Sequence, residues 1–243
     1  MGENTERVTS PGQVFLFGEH AVVYGQPALA AAIDVKTEVT VEPMADDKFE
    51  ALAEGVGNVK GKIEKEAESW SIVDQVGDVQ ALSFVTKVSE LTFNHLGEAE
   101  GLKLHIESDL PPGSGLGSSS AVTTATSAAV ASFLGRKLSK EEVSDLAYEA
   151  EVNVQGAASR TGVNVATHGG FLRVQGDDRK VLGDLPELKF LIGYTGQYAN
   201  TGELVESVRE LREEMPWIVD PIIETIGEIT EAGIDSLEEG NMQ

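Results

Sequence analysis

Cysteine is absent from the chain, so neither a disulfide framework nor a thiolate metal site can form, and a soluble cytoplasmic protein is the expectation. Long apolar runs are missing too. No stretch of about 18 apolar residues occurs, so no membrane-spanning helix is expected, and the opening MGENTERVTS carries no apolar signal region. Basic residues are scarce, 18 Lys and Arg against 41 Asp and Glu, for a formal net charge of −23. A surface this acidic repels nucleic acid and anionic membranes unless a local basic patch intervenes, and the sequence has no such patch. An anionic small molecule must then be held by local dipoles, a few cations and a metal ion. Apolar content is not short: 41% of the 243 residues are hydrophobic, enough for a substantial core.

Periodicity places strands over residues 6–17 and 36–43, where Thr37, Val39 and Val41 fall on one face. Residues 46–79 are charged and glycine-interrupted, and a helix is expected around 59–70. Val85, Val88, Leu91 and Leu96 suggest a further helix, and Leu102, Leu104 and Ile106 alternate as a strand. Residues 118–134 are rich in alanine and small side chains and read as a closely packed helix. Ser139 and Glu142 form a capping-box pattern ahead of Val143, Leu146, Ala147, Ala150 and Val154, with Gly156 as the stop. Strands are expected over 171–174 and 188–195. Two amphipathic helices follow, one through Leu204, Val205, Val208 and Leu211, the other through Ile222, Ile223, Ile226 and Ile229. The sum is an α+β protein with a domain boundary within 169–184, taken after residue 175.

The stretch PPGSGLGSSSA, residues 111–121, holds three glycines and four serines between an expected strand and an expected helix. Gly and Ser also make flexible linkers, so composition alone leaves that reading open. The strand–loop–helix setting favours an anion, because unpaired N–H groups at the helix start point back at the loop. Neither common fingerprint fits: a Walker A loop needs a lysine, and the dinucleotide pattern has Ser120 where its last glycine belongs.

Glu151 falls four residues after Ala147 and eight after Val143, at or beside the apolar face of its helix. A glutamate there usually reaches out to solvent. An inward carboxylate near a phosphate loop is also what a magnesium site uses, since Mg²⁺ takes one or two protein oxygens plus substrate phosphates. Glu19 and His20 interrupt the apolar stretch SPGQVFLFGEHAVVYG, residues 10–25. A lone histidine is more often structural than catalytic, and His95, His105 and His168 read as surface or core residues.

Residues 10–25, 111–121 and EVNVQGAASRTGVNVATHGGFL, 151–172, together resemble the three motifs of the GHMP family of small-molecule kinases, most closely its archaeal-type mevalonate kinases. The resemblance implies a two-domain α+β fold. A domain like ribosomal protein S5 domain 2 would span 1–175, and a partial ferredoxin-like domain, shortened by the end of the chain at Gln243, would span 176–243. Such shortening would leave sheet edges and apolar helix faces exposed. It further implies transfer of the γ-phosphoryl group of ATP to the C5 hydroxyl of mevalonate. Pro111, Gly113, Ser114, Gly115, Leu116, Gly117, Ser118, Ser119 and Ser120 would wrap the triphosphate, and Ser119 and Glu151 would hold Mg²⁺. Glu19 and His20, with Thr195 and Thr201, would lie on the substrate side. ATP and mevalonate would be the partners, and a homodimer is compatible with the resemblance.

The resemblance is broken where the chemistry is expected. The family's PGK lysine falls at Gln13, and the aspartate of its ASPTD-like pattern falls at Gly162. In the family pattern the lysine keeps the aspartate ionised and the aspartate takes or orients the hydroxyl proton. Two readings follow: an impaired kinase, or a non-catalytic homologue that binds nucleotide or metabolite as a regulatory or structural protein. Reinstating both charges, Gln13→Lys with Gly162→Asp, is expected to raise the rate more than the single changes combined.

Overall fold

A computed structural model describes residues 6–45, 47–156, 158–176, 178–183, 185, 188, 189, 191–193, 195, 196 and 201–241. The strands β1 (Glu6–Phe17), β2 (Ala28–Pro43), β3 (Lys48–Ala53), β4 (Gly57–Glu66), β5 (Ser69–Gly77), β6 (Leu102–Ser108), β7 (Phe171–Gln175) and β8 (Asp178–Leu182) form one mixed sheet. Its order is β5-β4-β3-β6-β2-β7-β8, with β1 paired along β2. Val41 pairs with both Glu6 and Leu104, so β1 and β6 flank β2 on opposite edges. The other end of β2 pairs with β7 through Ala28 to Ala31. Only β3 and β6 run parallel.

Among the described residues six helices accompany the sheet: α1 (Ser83–Leu96), α2 (Ser118–Phe133), α3 (Lys140–Gln155), α4 (Arg160–His168), α5 (Thr201–Glu214) and α6 (Pro216–Glu238). Val39, Val41, Phe49, Leu102 and Leu104 from the sheet meet Val85 and Phe93 of α1 and Ala125, Ala129 and Phe133 of α2 in the largest core. The alanines and hydroxyls of α2 let it lie close to its neighbours, and Thr92 of α1 bonds Ser127 of α2 at 3.2 Å. The capping box is formed: Ser139 Oγ accepts from the Glu142 amide while the Glu142 carboxylate accepts from the Ser139 amide. That pair, with His95, pulls the Glu142 carboxyl down to about 2. Gly156, with φ 80°, ends α3 as expected.

The helix expected around 59–70 is a hairpin instead, β4 against β5. Val59 and Ile63 are buried four residues apart, which reads as helical spacing. Gly61 holds the inward position between them, and a Cβ there would stand 2.8 Å from Ile72 Cγ2. The missing side chain hides the alternation. No described residue of 188–195 lies in a strand. β7 pairs with β8 instead, an outer strand whose Arg179 and Lys180 give it no apolar signal. The boundary expected after residue 175 falls in the turn of this hairpin. β2 starts earlier than expected: Ala28, Leu29, Ala30 and Ala31, all buried, are held between β1 and β7, and this run of alanines with one leucine carries no β-branched signal.

α6 closes the other side of β1. Val219 and Ile223 pack on Ala21 and Tyr24 of a 3-10 turn, Ala21–Tyr24, and Ile234 packs on Leu29 and Leu182. Trp217, Ile218, Ile222 and Ile229 of α6 and Leu204 and Leu211 of α5 are exposed. Among the described residues no helix is long and apolar enough to cross a membrane.

Candidate active site

The glycine-serine loop joins β6 to α2 and turns on left-handed glycines: Gly113 has φ 68°, Gly115 77° and Gly117 72°. The loop is pinned from below by β1, where the Gln13 amide donates to the Leu116 carbonyl at 2.9 Å. Gly12 permits that approach, since a Cβ there would stand 2.8 Å from the same carbonyl oxygen. Gly117 caps α2 without any side-chain bond, and the first turn carries no acidic residue. The leading amides of α2, on Ser118, Ser119 and Ser120, therefore face the loop with the positive end of the helix dipole behind them. Backbone amides at a helix start favour an anion in such a setting.

Gly117 serves twice, because a Cβ there would also stand 2.8 Å from Gln13 Cγ. Changing it to alanine puts a side chain in the left-handed region at a cost of about 1–2 kcal/mol and pushes the loop off Gln13. Gly117→Ala is expected to lower unfolding stability by at least that amount and to weaken ATP binding. Urea titration and calorimetry with ATP check the two effects.

Glu151 turns inward from the last turn of α3 and is 4% exposed. Ser120 Oγ donates to its Oε1 at 2.9 Å. Burial pushes the Glu151 carboxyl above its ordinary value, and hydrogen bonds from Ser120 and Ser119 pull it part of the way back. Two of the three serines in the first turn of α2 thus act on this carboxylate. No cation is among the groups that shift it. A buried carboxylate flanked only by hydroxyls, beside a ring of amides, is a hard-oxygen donor set that suits a divalent ion arriving with phosphates. Among the described residues no cluster of three or more His, Cys, Asp or Glu could hold a metal alone.

Gln13 and Gly162 are neighbours. A Cβ at Gly162 would stand 3.2 Å from Gln13 Nε2 and only 2.3 Å from Ser120 Oγ. Gln13 is 9% exposed, and its Oε1 is buried without a partner among the described residues. Three anchors fix the helix that carries Gly162. Ser10 Oγ of β1 donates to the Ala166 carbonyl at 2.9 Å, and Asn164 Oδ1 accepts from Ser144 Oγ of α3 at 2.9 Å and from Arg179 of β8 at 3.1 Å. Ser159 caps its start by accepting from the Thr161 amide.

The structure brings together Gln13, Gly117, Ser119, Ser120, Glu151 and Gly162. Ser114 lies within the loop with its hydroxyl buried and unpartnered among the described residues. Glu19 and His20 follow the end of β1: Gly18 at φ 82° turns the chain, Glu19 is exposed, and His20 is held at φ 64°, a conformation few non-glycine residues adopt. Thr195 is exposed. Thr201 opens α5, and its side chain lies outside the described residues. The Ser120 hydroxyl is buried against Glu151 and Gly162, a place no sequence spacing could reveal because the three residues come from three helices.

A glycine loop at a helix start, beside a buried carboxylate, sits on a mixed α+β scaffold. Residues 83–170 match the GHMP kinases N terminal domain. The chain is 38% identical over 224 residues to the mevalonate kinase of Thermococcus sibiricus, covering 92% of this chain and 67% of that protein. It is 39% identical over 230 residues to that of Pyrococcus furiosus, covering 93% and 68%. The chain belongs to the mevalonate kinase family of GHMP kinases, a family of phosphotransferases. The fold agrees: the Methanococcus jannaschii mevalonate kinase superposes with a TM-score of 0.73 at 22% identity, over 97% of this chain and 74% of that one. The L. major mevalonate kinase, solved in complex with R-mevalonate, superposes at 0.76 and 23% identity over 99% and 71%.

Proposed function

We propose that this chain is an ATP-dependent kinase that transfers the γ-phosphoryl group to the C5 hydroxyl of mevalonate, slowly, because Gln13 and Gly162 carry no charge. The observation that carries the reading is the contact of Ser120 with the buried Glu151 at the start of α2, directly behind the glycine loop. The amides of Ser118 to Ser120 and the loop backbone bind the triphosphate, and Ser119 and Glu151 offer oxygens to Mg²⁺. When bound, Mg²⁺ neutralises charge on the phosphates and fixes their orientation. Glu19 and His20, on the turn beyond β1, are the candidate contacts to mevalonate, with Thr195 and Thr201 from the second region.

Phosphoryl transfer depends chiefly on positioning and charge neutralisation. A general base adds about 10² to 10⁴ in rate, so its loss slows the reaction without abolishing it. Gln13 still offers the orphaned Oε1 to a hydroxyl donor. Purified protein with mevalonate, ATP and Mg²⁺ is expected to release ADP in a coupled assay above a protein-free control, and the product should be 5-phosphomevalonate by mass and NMR. No turnover at any protein concentration rejects the reading.

The second reading, a non-catalytic binder, is favoured by one observation: Ser120 fills the space where any side chain at 162 would begin. Calorimetry separates the two, since tight binding of ATP or mevalonate without turnover selects the binder. Sedimentation of the same preparation reads out the homodimer.

A further inference from the structure

Glu151 has a partner that the carboxylate's own helix does not supply. Ser120 Oγ lies 2.9 Å from Glu151 Oε1, and both side chains are about nineteen-twentieths buried, at 5% and 4% exposure. The hydroxyl reaches that position only because residue 162 has no side chain. A Cβ on Gly162 would stand 2.3 Å from Ser120 Oγ, well inside any permitted contact, whereas its distance to Ser120 Cβ would be 3.2 Å. The hydroxyl, and not the body of the serine, is what excludes a side chain at 162. Gly162 is itself held in place by the anchors of α4 to β1, α3 and β8.

We infer that Ser120 is a positioning residue for Glu151: the hydroxyl that Gly162 admits holds one carboxylate oxygen in place and so orients the other for a divalent cation. The inference rests on the proposed metal site and deepens it. A buried carboxylate with a free torsion must be ordered before it can bind, and a hydroxyl donor fixes that torsion without adding a charge that would compete with the cation. Outer contacts of this kind ordinarily govern metal affinity by about 10–100-fold when removed. Ser120 thereby takes a different role from Ser119, whose oxygen is offered to the metal.

The test is Mn²⁺ binding in the presence of ATP, followed by electron paramagnetic resonance, on the full chain. Ser120→Ala is expected to weaken Mn²⁺ binding about 10–100-fold. Gly162→Ala is expected to weaken it comparably, because its methyl displaces the hydroxyl. Once the hydroxyl is gone the nearest approaches left to the methyl are 3.2 Å, to Ser120 Cβ and Gln13 Nε2, so Gly162→Ala added to Ser120→Ala should cost much less than it does alone, a strongly non-additive pair. Thermal unfolding of each metal-free variant identifies any that fails to fold, and Ser120→Cys, which keeps a weak donor of similar shape, then replaces Ser120→Ala in the series with a smaller loss expected. Wild-type Mn²⁺ affinity in a folded Ser120→Ala protein overturns the inference and leaves the proposed function standing. Additive losses in the pair also overturn it. If the wild-type chain itself binds no Mn²⁺ with ATP, the metal site and everything resting on it fall together.

Discussion

Replacing Glu151 by glutamine should lower phosphoryl transfer about 10²–10³-fold, since a metal contributes several kcal/mol of charge stabilisation and each 1.36 kcal/mol is tenfold in rate. The same change should make the metal-free protein more stable. Glu151 is 4% exposed with hydroxyls for partners, and desolvation raises its folded pKa above the ordinary 4.5. From 4.5 upward to that raised value the folded state keeps a proton the unfolded chain has released, so stability falls as pH climbs through the window. Glutamine has no proton to lose there and keeps its bond to Ser120, so Glu151→Gln should be the more stable protein at neutral pH and should flatten the pH dependence. Urea unfolding in EDTA at several pH values measures this. Mg²⁺ with ATP should reverse the order, stabilising the wild type more than the variant. Equal stability of the two proteins in EDTA would mean the carboxylate is not the strained, uncompensated group its burial implies.

Restoring the charged pair is expected to work only with a third substitution. Gln13→Lys with Gly162→Asp places a Cβ 2.3 Å from Ser120 Oγ, so this double variant should gain little and lose stability, against the expectation drawn from the pair alone. Adding Ser120→Ala clears the clash. The triple variant, assayed at saturating Mg²⁺ to offset weaker metal binding, should recover about 10² to 10⁴ in kcat, the usual worth of a positioned base. Its kcat should also acquire a dependence on the ionisation of residue 162. A gain in the double variant equal to that of the triple would show that Ser120 yields freely, and would weaken its assignment as a fixed partner of Glu151. No gain in either would show that positions 13 and 162 no longer face the transferred group.

Much of the architecture was legible because it follows from local rules. The capping box at Ser139 and Glu142, the stop at Gly156 and the inward turn of Glu151 all obey helical spacing, and the structure forms each of them. The strand–loop–helix setting of the glycine-serine stretch was legible, and β6, the loop and α2 follow one another as expected. Where local signals were erased, the reading failed. Gly61 removed the middle of an alternating strand, and the charges of β8 disguised an outer strand whose hydrogen bonds come from β7.

By itself the sequence determined the family, the glycine-serine loop ahead of a helix, a carboxylate at or beside an apolar helix face and the absence of charge at Gln13 and Gly162, because each is a matter of residue type at a fixed spacing along one element. Only the tertiary structure decided what those two substitutions mean together. Gly162, Ser120 and Glu151 belong to three different helices, and their mutual distances depend on how those helices pack rather than on any interval in the chain. Packing made the hydroxyl of Ser120 and a side chain at 162 rivals for the same few ångströms. No alternation or heptad can encode a steric exclusion between residues 42 positions apart.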